Sequence, residues 1–153
     1  MQSADVEYAG FWIRVWASLI DTVLVLVIIS PILTWIYGSA YWEGAKLVHG
    51  PADVLFSWVL PAAAILIFWH AKQATPGKMA IAAQIVDART GDKPTTRQFV
   101  IRYLGYFVSS IPFLLGLFWV AFDARKQGWH DKLAGTVVIR KKGGNREPVR
   151  FNN

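Results

Sequence analysis

The stretch VWASLIDTVLVLVIISPILTWIY, residues Val15 to Tyr37, decides the fold class. A bilayer's hydrocarbon core is about 30 Å thick, and about 20 consecutive apolar residues in a helix cross it. This run is long enough and holds one charge, Asp21. Two further stretches approach the same length. Val54 to Ala71 has no acidic or basic charge and carries Pro61 inside it. Tyr103 to Phe122 is also uncharged.

Composition agrees. Hydrophobic residues make up 54% of the 153-residue chain and charged residues 17%, against roughly 25% charged in soluble domains. Eight Trp residues suit the headgroup region, where amphipathic rings settle. The net charge of +6 would fit nucleic acid or an anionic membrane surface. The basic residues flank apolar spans, so the membrane is the partner expected and nucleic acid is not. Cysteine is absent, which removes disulfides and thiolate metal sites. The first dozen residues carry Asp5 and Glu7 but no Lys or Arg, unlike the basic start of a signal peptide.

The connecting segments differ in kind. Gly38 to Asp53 is short and broken by Gly38, Gly44, Gly50 and Pro51. Lys72 to Arg102 is longer and polar, with a strand candidate at Ile81 to Asp87 and a turn at Thr90-Gly91. Gly135 to Arg140 reads as a second short strand. The expected architecture is an all-α polytopic membrane domain over residues 1–140. It has two full transmembrane helices, a third helix that is broken, re-entrant or spanning, and a small cytoplasmic β element. A basic, disordered cytoplasmic tail follows over residues 141–153.

Orientation follows from Lys and Arg, which collect in cytoplasmic loops. Residues 124–153 hold eight and residues 72–102 hold six. The first loop has Lys46 alone, and no basic residue precedes Arg14. Both basic segments are therefore expected in the cytoplasm, which forbids a single crossing between them. Gly105, Ser109-Ser110, Pro112 and Gly116 would break the third stretch into two half-helices. Irregular backbone at that depth must be buried in protein or line a wet cavity. A simple third crossing is the competing topology.

The intramembrane charges carry the functional interest. Arg14 and Asp21, seven residues apart, fall about 20° apart in azimuth and about 10 Å apart along a helix. Ser18 and Ala17 share that stripe, while Trp12 and Trp16 point to the other side, towards lipid. An aspartate at membrane depth costs about 3 kcal/mol on insertion scales and marks a functional hypothesis. Burial raises its pKa and Arg14 lowers it. A close balance would let Asp21 exchange a proton; dominance of Arg14 would make a fixed bridge. Asp123, His130 and Asp131 cluster past the third stretch. Asp131 would cap the turn before Leu133 or reach Arg14 across the membrane face. His70 and His49 read as headgroup-level and loop residues, and three scattered His give no metal spacing. Thr75-Pro-Gly-Lys78 lacks the upstream Gly of a phosphate loop and reads as a sharp turn. No catalytic constellation is present, so neither an enzyme nor a cofactor is expected.

In order and spacing, several motifs resemble the RDD family of small bacterial membrane proteins, named for an arginine and two aspartates. They are Ala9-Gly-Phe-Trp-Ile-Arg14 through Asp21, Thr75-Pro-Gly-Lys78, Val86-Asp87 with Thr90-Gly91, Arg97 to Arg102, and Gly128-Trp-His-Asp131-Lys-Leu-Ala-Gly-Thr136. The resemblance covers roughly residues 9–140. It maps the arginine to Arg14, the first aspartate to Asp21 and the second to Asp131, with Asp123 as competitor. It implies a multi-pass protein of the bacterial cytoplasmic membrane, and for some members exchange of monovalent cations for protons. Two or three spans cannot enclose a pathway, so that function requires a homo-oligomer. Ala9, Gly10, Ala17, Ala62, Ala63 and Ala64 are candidate small contacts. The alternative is a non-transporting accessory or scaffold protein in which Arg14 and Asp21 are structural.

Overall fold

The computed structural model describes residues 6–43 and 48–141. It is mostly helical, with one three-stranded sheet. Strand β1, Val6–Tyr8, leads into helix α1, Phe11–Tyr37, and a short helix α2, Ala40–Glu43. Helix α3, Pro51–Lys72, is wound more widely, as a π-helix, over Val54–Val59. That local widening lies just ahead of Pro61, where a missing N–H and a crowding ring would otherwise break a regular helix. Helices α1 and α3 are both long and apolar enough to cross a membrane.

A tight connection follows. Helix α4, Pro76–Ala80, precedes strand β2, Ala83–Asp87. Helix α5, Thr96–Ser110, opens on a capping box in which Thr95 and Gln98 satisfy each other's backbone N–H groups. The chain then bends by 114°. It resumes as α6, Leu115–Phe118, and a 3-10 turn, Trp119–Ala121. Helix α7, Trp129–Ala134, and strand β3, Thr136–Lys141, complete the described chain.

The third apolar stretch is thus broken. The break falls at Pro112, and Phe113 and Leu114 take left-handed φ values of 50° and 63°, a costly backbone for side chains with a Cβ. Gly105 and Gly116, also expected as breakers, sit inside helices. A Cβ on Gly105 would come within 2.8 Å of the His130 Cα, so that position serves close packing of α5 on α7.

The two expected strands pair antiparallel, with Ala83 opposite Arg140 and Asp87 opposite Thr136. An unexpected third strand, β1, adds to the other edge of β3, with Val6 opposite Lys141. Both sheet faces are buried. Val6, Val86, Val137 and Ile139 pack on one. Ala83, Ile85 and Val138 pack against Trp69 and Phe99 on the other. The segment from α5 to α7 therefore leaves the sheet after β2 and returns to it at β3. Lys141, assigned to the tail on sequence grounds, ends β3; residues 142–153 lie outside the described residues.

Candidate functional site

Asp131 forms the polar centre. It is fully buried on α7, and each carboxylate oxygen takes a guanidinium. Arg14 Nη1 donates to Oδ2 at 2.6 Å, and Arg102 Nη1 donates to Oδ1. The backbone N–H of Gly128 also donates to Oδ2, at 3.0 Å, capping α7. Asp131 thus makes both contacts the sequence reading offered as alternatives, the helix cap and the reach to Arg14. Burial pushes its pKa up, but Arg102, Arg14, His130 and the Gly128 N–H outweigh burial and hold the carboxyl far below the usual range.

Arg14 is spent on other acceptors as well. Its Nε donates to the Ala9 carbonyl at 2.9 Å and its Nη2 to the Lys126 carbonyl at 2.5 Å. Asp123 shapes the loop that offers Lys126: its Oδ2 accepts from the Arg125 and Gln127 N–H groups, both at 3.1 Å, and its Oδ1 meets Lys132. Asp123 therefore does not join the centre itself, and Asp131 is the aspartate that meets Arg14.

Asp21 serves a different element. Its Oδ2 accepts from the Thr75 hydroxyl at 2.5 Å and its Oδ1 from the Gly77 N–H at 2.7 Å. A carboxylate at the start of a helix is favourable because the first N–H groups lack partners there. This geometry explains Thr75-Pro-Gly-Lys78. Thr75 donates its hydroxyl, Pro76 starts the helix, and Gly77 lets α1 approach. A Cβ on Gly77 would fall 2.0 Å from the Ala17 carbonyl oxygen. The Arg14–Asp21 bridge, one of the two alternatives read from sequence, is replaced by two separate locks. Of the stripe read from sequence, Arg14, Ala17 and Asp21 face protein, whereas Ser18 is exposed. Trp12 and Trp16 point outward, 73% and 63% exposed. Ala9 and Ala17 are fully buried within the chain, so neither is available as a contact between copies.

His130 stacks on Tyr106 with ring centroids 4.0 Å apart. Its Nδ1 lies 3.4 Å from the Ser109 hydroxyl. Burial lowers its pKa to about 3, against the pull of Asp131 and with the push of Arg102, Arg14 and Lys78. The ring is neutral at physiological pH. Ser18 is exposed at the rim of a cavity beside this group.

Sequence reasoning missed Arg102 as a site residue, since it was counted among loop charges. It is fully buried, donates to Thr136 Oγ1 at 2.7 Å, and lies over the Trp69 and Tyr106 rings at 5.4 and 5.8 Å. The available signal was its helical spacing to Phe99 and Tyr106, which makes it part of an aromatic face. Asp53 was missed too. It is buried at the other end of the spans and accepts from Tyr41, His49 and Ser57 at 2.8, 2.9 and 2.7 Å.

Two long apolar helices, with the charges of the first locked to the segments beside a small sheet, define a small integral membrane protein. The family model for the RDD family matches residues 8–135, and the chain belongs to that family. It is 30% identical to the Uncharacterized protein RP437 of Rickettsia prowazekii (strain Madrid E), over 89% of this chain and 98% of that protein. It is 29% identical to the Uncharacterized membrane protein YteJ of Bacillus subtilis (strain 168), over 88% of this chain and 82% of that one. It is 30% identical to the Uncharacterized protein YxaI of the same organism, over 87% and 97%. No solved structure matches.

Proposed function

We propose that this chain is a non-enzymatic, non-transporting accessory protein of the bacterial cytoplasmic membrane. In this reading α1 and α3 cross, the α5–α6 hairpin dips in and returns, and the sheet and tail lie in the cytoplasm. The supporting observation is that Asp131 is clamped by two guanidiniums, a carboxylate held ionised rather than poised to exchange protons. The spans themselves look unfilled. Among the described residues of α1 only Ala17 and Leu33 are buried. A crevice of about 480 Å³ separates α1 from α3, lined by Asp21, Val25, Ile28, Pro61, Ala64 and Phe68 among others. Such a crevice suits lipid or a helix of another membrane protein.

Monovalent cation/proton antiport by a homo-oligomer is the second reading. It is favoured by Asp21 and Thr22 lining that crevice. Against it, the Asp21 oxygens accept from the Thr75 O–H and the Gly77 N–H, donors that compete with a cation, and most of the lining is hydrocarbon. Liposomes carrying a pH-sensitive dye decide between them. The accessory reading predicts no dye response to sodium or potassium, and a lower melting temperature for Asp21→Asn. A cation-driven proton flux, abolished in a folded Asp21→Asn, establishes antiport instead.

A further inference from the structure

A cavity of about 310 Å³ lies beside the first turns of α1, between that helix and α6. Its walls are of two kinds. Arg14, Lys78 and His130 form one side, with Ser18, Thr22 and Tyr106 adding hydroxyls; Phe11, Leu19, Leu117 and other apolar residues form the rest. The polar side carries more positive than negative charge. Asp131 is already shared by Arg14 and Arg102, and both Asp21 oxygens are turned to α4.

Lys78 has no such partner. Its side chain lines the cavity and the residue is only 7% exposed. The polar contact of its ammonium is a long one, 3.5 Å to the Thr75 hydroxyl. Among the described residues no carboxylate pairs with it. A buried ammonium without a counter-ion is costly, and an anion entering the cavity relieves that cost.

The lining identifies the anion. A small soluble anion gains nothing from walls of Phe and Leu, whereas a phospholipid matches both halves. The site is also at the right level: Arg14 and Lys78 stand near the start of α1, where the apolar span meets the polar cap. We propose that this cavity binds the phosphate of an anionic phospholipid on Lys78, with Arg14 adding its field. An acyl chain would run along Leu19 and Leu117. His130 is neutral and adds no charge, so the site would discriminate through Lys78.

The full-length protein in detergent is challenged with phosphatidylglycerol or phosphatidylcholine, and bound lipid is counted by native mass spectrometry. Wild type should retain phosphatidylglycerol preferentially. Lys78→Gln should lower that preference about fivefold, as expected for one basic residue near the headgroup. Lys78→Arg should restore it, and Lys93→Gln, at an exposed position, should leave it unchanged. If Lys78→Gln does not fold, Ser18→Phe fills the cavity from its rim and should reduce retention with an unchanged melting temperature. Equal retention of the two lipids, wild-type preference in Lys78→Gln or Ser18→Phe, or displacement of the lipid by inorganic phosphate overturns the proposal.

Discussion

Asp131 serves two guanidiniums with one carboxylate, so neutralising it strands both. Asp131→Asn should lower stability by about 3–5 kcal/mol, the usual result of removing one partner from a buried ion pair. Thermal unfolding in detergent measures it. Asp21→Asn keeps an acceptor for Thr75 and should cost about 1 kcal/mol, on the scale of a lost helix cap. His130 adds a pH dependence. Its folded pKa of about 3 lies below the unfolded value of about 6.5, so the unfolded chain binds the extra proton. Its contribution is therefore complete above about pH 6.5 and is lost as pH falls towards about 3. Between about pH 7.5 and about pH 5.5 the protein should lose about 1.4 kcal/mol, and His130→Phe should flatten that slope. Asp131, with a lowered pKa, adds its own loss only below about pH 4, the unfolded carboxylate value. At this scale the sequence placed Arg14 and Asp21 on one protein-facing stripe. It offered Asp131 to Arg14 as one alternative and gave Asp21 no partner in α4, because spacing along a helix reports neighbours on that helix. Arg14 finds Asp131 across 117 positions.

Among the elements, the hairpin of α5 and α6 constrains the chain most. Helix α5 has 15 residues, about 22 Å at 1.5 Å each, too short to cross a core of about 30 Å. Its tip, Ile111 to Leu114, is apolar, and Phe113 is 92% exposed. The tip pairs its own N–H groups: those of Phe113, Leu114 and Leu115 donate to Ile111, Ser110 and Pro112 at 3.0, 3.2 and 3.0 Å. Such a turn can lie in hydrocarbon, where unpaired backbone groups cannot. A cysteine at Phe113 should stay unlabelled by a membrane-impermeant maleimide added to either side. Gly77→Leu should prevent α4 from docking on α1, seen as loss of folded protein in size-exclusion chromatography. Pro112 made the break legible in sequence. Gly105 and Gly116 misled because a glycine that admits a neighbouring backbone is indistinguishable, in one sequence, from one that bends its own. The three residues of β1 are too few to show an alternating pattern.

For the molecule as a whole, the sheet is the constraint. One strand comes from before α1, one from between α3 and α5, and one from after α7. Strands in one small sheet share one side of a membrane, so each intervening segment must cross an even number of times. Paired spans α1 and α3 meet that rule, and so does a hairpin that returns. Cysteines at Lys93 and Val48 should therefore label from opposite sides. The bias of Lys and Arg leads to the same expected parity. Of the polar lock under the sheet, the reach of Asp131 to Arg14 was one of two sequence alternatives, while the part played by Arg102 was not visible, because only the fold brings α5 to α1 and α7. That lock is tested most directly by two double-mutant cycles on thermal stability in detergent, one for Arg14 with Asp131 and one for Arg14 with Asp21, each charge replaced by a neutral isostere. The expected result is a coupling of about 1–3 kcal/mol for Arg14 with Asp131 and near zero for Arg14 with Asp21. A larger coupling in the Arg14–Asp21 cycle would contradict the account.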